Sequence, residues 1–190
     1  DLGMLCYMPQ VWLSDNTDAL CRCRMQYYAS FGYPQCVWGA HVSASPNHQT
    51  LRTAPLESRF HVAAMGLLGY ELDLGALSEE ERGAIAAQIA FYKERRQTLQ
   101  YGQLFRLRDG TDGFWQMMAS DGTNALVLLF QPENRANAPA LRLTARGLRP
   151  EAVYRLTTRP CGFQTEDPLS DDYLDIGVNW AYTSTHTNSG

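Results

Sequence analysis

Three times between residues 8 and 101 a short apolar run is followed by a stretch with helical spacing, and this alternation restricts the fold more than any other feature. Residues 8–13, 35–42 and 66–74 are apolar segments of strand length. The segment 16–29 places Leu20, Cys23 or Arg24, Tyr27 and Tyr28 near a 3.6-residue spacing, and Gly32 and Pro34 end it. Residues 54–64 read as a second helix with Pro55 in its first turn. A third opens with the capping box Ser78-Glu-Glu-Glu81, repeats Ile85, Ile89, Tyr92 and Leu99 on one face, and stops at Gly102. Strand and helix in strict alternation predict a parallel sheet or barrel of α/β type.

After Gly102 the texture changes. Short strand candidates at 103–107, 114–119, 125–130, 140–145 and 152–157 are separated by turns such as Asp-Gly-Thr-Asp-Gly and Ser-Asp-Gly-Thr-Asn. Regular short strands with such turns predict an antiparallel β-sandwich with its own core. The expected division is therefore 1–102, α/β, and 103–190, all-β.

Composition removes several classes of function. A net charge of −4 argues against a nucleic-acid partner, which needs a basic stripe. No apolar run approaches the roughly 18 residues of a membrane span, so no membrane partner is expected. No basic segment followed by an apolar one marks a signal peptide. The chain starts Asp-Leu-Gly-Met-Leu, without an initiator Met, and reads as a piece of something longer. Cys6, Cys21, Cys23, Cys36 and Cys161 form no zinc spacing, and their odd, scattered count favours reduced and mostly buried thiols. His41, His48 and His61 match no ligand pair and read as loop or packing residues, so no metal site is expected.

The chemistry concentrates in residues 9–18, Pro-Gln-Val-Trp-Leu-Ser-Asp-Asn-Thr-Asp. A carboxylate on the loop from a strand into a helix is where α/β barrels put catalytic groups. It is equally where a helix finds its N-cap, and placement alone leaves Asp15 and Asp18 open to either role.

Motifs in a fixed order choose between these roles. Gly-Met-Leu at 3–5, Met-Pro-Gln-Val-Trp-Leu-Ser-Asp-Asn-Thr-Asp at 8–18, Gly-Ala-His-Val-Ser at 39–43 and Pro-Asn-His-Gln-Thr at 46–50 lead the series. Gly-Leu-Leu-Gly-Tyr-Glu-Leu-Asp-Leu at 66–74, Tyr-Lys at 92–93 and Phe-Arg-Leu at 105–107 continue it. Together they make the chain resemble the retaining α-galactosidases of glycoside hydrolase family 36. The likeness is dense to about residue 130 and looser beyond.

The resemblance implies the last three strands of a (β/α)8 barrel followed by a C-terminal β-sandwich. It implies that Asp15, the first Asp of the family's Ser-Asp-x-x-Asp motif, is the general acid/base, with Asp18 holding the loop or capping the helix. The family's nucleophile sits in a Lys-Trp-Asp motif that has no counterpart here, and its Cys- and Gly-rich substrate loop is also absent. Leu13 stands where relatives often carry Thr. Trp12 either walls the sugar site or packs. His41, Asn47 and His48 belong to a loop on the rim, and Glu71 and Asp73 read as structural groups at a strand end. No cofactor is implied; the implied partners are an α-galactoside oligosaccharide and further copies of the parent in a homo-oligomer.

Retaining hydrolysis needs two carboxyl groups about 5–5.5 Å apart, one attacking and one delivering a proton to the leaving oxygen. The acid keeps its proton through partial burial and the neighbouring carboxylate. A galactosyltransferase of the raffinose-synthase type would use the same machinery with another acceptor, chosen by loops outside this chain. A non-catalytic carbohydrate-binding module is the third reading, and the strand–helix alternation argues against it.

Overall fold

The computed structural model describes residues 2–132, 145–157 and 180–182, the last for the backbone alone. Its first sheet is parallel, in the order β1 (Val11–Trp12), β2 (Trp38–Ser43), β3 (Leu67–Glu71). Helix α1 (Ala19–Ala29) connects the first two strands and α2 (Leu56–Ala63) the next two. Neighbouring parallel strands in chain order, each crossed over by a helix, form the arc that an α/β barrel repeats.

A 23-residue helix, α3 (Glu79–Tyr101), then leads to a second sheet. There β4 (Gln103–Asp109), β5 (Trp115–Ser120) and β6 (Ala125–Phe130) run antiparallel in sequence order, with a register shift between Arg106 and Arg108. The expected all-antiparallel pattern does not extend to β7 (Tyr154–Leu156) and β8 (Trp180–Tyr182), which pair in parallel. Parallel pairing needs a long connection, and residues 157–179 supply the chain for it. Strand-like composition carries no direction, which is why the sequence misled here. The strand expected at 140–145 falls almost wholly outside the described residues.

Each parallel strand is shorter than its apolar run. The first shrinks to Val11–Trp12 because Pro9 has no N–H for a ladder. Gln35–Val37 forms a 3₁₀ turn before β2 begins. The capping box is present as read: Ser78 Oγ accepts from Glu81 N at 3.1 Å and Glu81 Oε2 from Ser78 N at 2.9 Å. Gly102 ends α3 in an extended conformation (φ −67°), not the left-handed one a C′ glycine supplies. Its lack of a side chain serves close approach instead, since a Cβ would run into the Thr98 carbonyl and stand 3.0 Å from the Ser120 carbonyl.

One buried cluster joins the two sheets. Ala40 and Val42, from one face of β2, meet Tyr27 of α1, Phe60 and Ala63 of α2, Tyr92 and Leu99 of α3, and Met117 and Leu128 of the antiparallel sheet. Polar ties run through the same layer: Tyr92 Oη donates to Gly66 O at 2.6 Å, and Gln88 bridges Tyr70 and Glu57 at 2.8 and 2.6 Å. This joint cluster covers one face of the second sheet; Gln116, Met118 and Ser120, which alternate with Met117 along β5, are buried on its other face. The face of β2 opposite Ala40 and Val42 carries Gly39, His41 and Ser43, because side chains alternate along a strand.

Candidate active site

The loops leaving the C-terminal ends of the three parallel strands hold the polar residues. The first loop divides its two carboxylates sharply. Asp18 is 3% exposed and is the N-cap of α1, where its Oδ1 accepts from Leu20 N at 2.8 Å and Cys21 N at 3.2 Å. Thr50 Oγ1 donates to its Oδ2 at 2.5 Å, and Arg52 approaches at 3.4 Å. Asp15 is exposed, and its one hydrogen bond among the described residues comes from Trp12 Nε1 to Oδ1, at 3.0 Å. Its second oxygen is left open.

The loop is locked by its own short polar side chains. Ser14 Oγ accepts from Asn16 N at 3.1 Å and Asn16 Oδ1 accepts from Asp18 N at 3.0 Å. Asn47 ties the second loop to the first. Its Oδ1 accepts from Gln49 N and Thr50 N, at 3.0 and 3.1 Å, and its Nδ2 donates to Thr17 Oγ1 at 3.2 Å. At 3% exposure Asn47 is a structural hub and not a rim contact, while His48 stays exposed. Leu51 takes φ +58°, a left-handed conformation that sets the turn bringing Thr50 onto Asp18.

Behind Asp15 lies a row of rings on the sheet face opposite the helices. Trp12 is partnered in register with Gly39, and His41 with Gly69. The glycines make room: a Cβ on Gly39 would stand 2.8 Å from the Trp12 ring, and one on Gly69 2.5 Å from His41 Nε2. The Trp12 and His41 ring centroids are 4.5 Å apart, and His41 Nδ1 faces Glu71 Oε2 at 3.4 Å. His41 therefore lies within β2, not on the following loop. Asp73 accepts from Gly75 N at 2.8 Å and caps the 3₁₀ turn Leu74–Ala76, the structural role its position suggested.

Two participants escaped sequence reading. Arg22 and Gln26 sit on the buried face of α1 with Ala19, Cys23 and Tyr27, whereas Tyr28 points out. Spacing alone held the clue: 19, 22, 23, 26 and 27 follow the helical repeat better than the apolar positions do. Gln26 Nε2 donates to Val62 O at 2.8 Å and joins α1 to α2. Arg22 Nη2 donates to Ser14 O at 2.8 Å, with its guanidinium carbon 4.7 Å from the Trp12 ring centre. Burial pulls the Arg22 pKa down, while the Glu71 and Asp15 carboxylates act to hold it up.

Of the four described cysteines only Cys23 is buried, and its burial pushes the thiol pKa up; Cys6 is exposed. No cluster of His, Cys, Asp and Glu suited to a metal occurs among the described residues. A cleft between α1, β4 and β5, lined by Tyr27, Arg106, Arg108 and Asp112, contains none of the groups around Asp15.

Residues 1–102 match the melibiase family, and residues 113–188 match the glycosyl hydrolase family 36 C-terminal domain. The chain belongs to glycosyl hydrolase family 36. Within this family it is 45% identical over 159 residues to the α-galactosidase AgaA of Geobacillus stearothermophilus, matching 82% of this chain and 22% of that protein. It is 44% identical over 157 residues to the bifunctional α-galactosidase/sucrose kinase AgaSK of Mediterraneibacter gnavus, covering 81% of this chain and 17% of the relative. The crystal structure of AgaA superposes with a TM-score of 0.76 at 46% identity, over 79% of this chain and 21% of AgaA. Variants of AgaA have been solved in complex with raffinose and with stachyose. The chain thus spans about a fifth of the length of these family 36 relatives. A part of the family's barrel followed by a sheet domain is the architecture that fits the two matched regions.

Proposed function

We propose that this chain carries the acid/base side of the active site of a retaining α-galactosidase. In this reading residues 1–102 are the last strands and helices of its (β/α)8 barrel and 103–190 its C-terminal β-sandwich. The observation that carries the proposal is the division between the two carboxylates. Asp18 is buried and spent on a helix cap, a hydroxyl and an arginine, while Asp15 is exposed at the end of a parallel strand with one oxygen open. A proton donor must reach its substrate, and only Asp15 of this pair can.

The nucleophile comes from outside this chain. In the first step its carboxylate attacks the anomeric carbon while Asp15 passes its proton to the leaving glycosidic oxygen. Asp15, now a carboxylate, then takes a proton from water as the water displaces the enzyme carboxylate, restoring the α configuration. Trp12, 39% exposed and hydrogen-bonded to Asp15, flanks this site and would wall the sugar. The raffinose and stachyose complexes of AgaA support terminal α-galactosyl groups of such oligosaccharides as substrates.

The test uses the intact enzyme that carries this segment. Asp15→Ala should slow raffinose hydrolysis by about 10²–10⁴. It should largely spare the first step on aryl galactosides, whose good leaving groups depart unaided. Azide should then speed turnover and yield an α-galactosyl azide, since a small anion attacks without base help. Leaving-group dependence and azide rescue at Asp18→Ala instead of Asp15→Ala would reverse the assignment.

A further inference from the structure

Arg22 is hard to account for as a stabilising residue. It is 2% exposed on the inner face of α1, and of its donor nitrogens Nε and Nη1 find no partner among the described residues. A buried cation that uses one of its three nitrogens loses more in desolvation than its contacts return, and an apolar side chain of similar volume would fill the space at less cost. What Arg22 does touch is the housing of Asp15, from both sides. Its Nη2 holds the carbonyl of Ser14, the residue before Asp15, at 2.8 Å. Its guanidinium lies 4.7 Å from the centre of the Trp12 ring, whose N–H holds Asp15 Oδ1 at 3.0 Å. The carboxylates that face it are Asp15 itself and Glu71, the partner of His41.

We propose that Arg22 is a positioning residue for Asp15, fixing the Ser14 carbonyl and the Trp12 indole so that the carboxyl presents its open oxygen to the glycosidic bond. The inference rests on the reading of Asp15 as the acid/base. Two tethers are needed because the loop's other ties from outside, by Ser43, Asn47, Thr50 and Arg52, fall on Thr17 and Asp18 beyond Asp15, and a carboxyl on a freely turning χ1 would spend little time aligned. A displacement near 1 Å can cost a reacting pair about 10²-fold in rate.

The experiment compares Arg22→Met, Arg22→Lys, Asp15→Ala and Asp15→Ala/Arg22→Met in the intact enzyme, on raffinose and on an aryl α-galactoside with a good leaving group. Arg22→Met should lower kcat on raffinose by up to about 10²-fold. On the aryl substrate the first step, read as kcat/KM, should change by less than about threefold, and the thermal midpoint should stay level or rise. Arg22→Lys keeps the charge without the planar fork, so its raffinose rate should fall between those of Arg22→Met and the unsubstituted enzyme. The double variant should be no slower than Asp15→Ala, because the two residues act in one step. Equal losses on both substrates together with a lower midpoint would make Arg22 a packing residue and overturn the proposal. Should Arg22→Met fail to fold, the substrate split in Arg22→Lys decides alone, and equal losses there overturn it too. If Asp15→Ala itself lacks the leaving-group split, the acid assignment has failed first, and that outcome is distinct from a failure confined to Arg22.

Discussion

Asp15 and Asp18 have the same functional group three residues apart, and their surroundings give them different work. Asp18 accepts two backbone N–H groups and a threonine hydroxyl, so Asp18→Ala takes the acceptor from all three at a half-buried helix start. Loss of such a cap costs about 2 kcal/mol, and the thermal midpoint of the intact enzyme should drop accordingly. Activity should fall to the same degree on raffinose and on aryl galactosides, because a loosened loop affects both. A different test falls on Gly39, which gives Trp12 its room. Gly39→Ala would set a methyl 2.8 Å from the indole and 2.5 Å from Gln10 Nε2, so Trp12 must shift and its N–H leave Asp15. Raffinose turnover should then suffer more than aryl turnover. Gly3→Ala, with nothing within 4 Å of the added carbon, is the control and should be silent. Equal behaviour of the two variants would remove Trp12 from the machinery.

At the scale of elements, what could be read in advance was whatever depends on neighbours in sequence. The capping box at Ser78, the extent of β6 and the order of strand and helix follow from local chemistry and were legible. The buried face of α1 was not, because Arg22 and Gln26 are polar and their partners, Ser14 and Val62, are set by tertiary folding. Nor was the parallel pairing of β7 with β8. For the candidate site, position marked Asp15 and Asp18 equally; the family resemblance pointed to Asp15, and the contacts of the two carboxylates differ in the structure. The turn between β5 and β6 shows how such contacts become a pH dependence. Asp121 accepts from Asn124 N at 2.7 Å, from Thr98 Oγ1 at 2.7 Å and from Thr123 N at 2.9 Å. These bonds, Asn124 foremost, bring its pKa down from 3.8 to about 2. A carboxyl depressed on folding stabilises the fold above its unfolded pKa and loses that contribution as pH falls through the folded one. Asp121→Asn should therefore cost about 1 kcal/mol near neutral pH, given the screening at an exposed site. The gap in unfolding midpoint between the two proteins should close between pH 4 and 2, and a constant gap would assign the cost to shape alone.

For the whole molecule the open edges of the parallel sheet matter most. Among the described residues β1 and β3 each pair on one side only, with β2. The segment leading into β1 shows Leu2, Met4, Tyr7 and Met8 to solvent, from 47% to 86% exposed. Barrels leave no such edges, because each strand has two neighbours. The ring face of Trp12 and His41 likewise looks away from the helices, toward where further strands of a closed barrel would stand. Made alone, these 190 residues should therefore associate through the exposed strands and elute from a sizing column well above 21.4 kDa. They should not hydrolyse an aryl α-galactoside, since proton donation without an attacking carboxylate completes neither step. Supplying the remainder of the enzyme as a separate chain should cover the edges, bring the mixture to one defined size and restore turnover. That restored activity should disappear with Asp15→Ala on raffinose and persist in part on aryl substrates. Turnover by the 190 residues alone would mean that both carboxylates lie on this chain, and the nucleophile would then have to be sought among Glu71 and the other acids near Trp12.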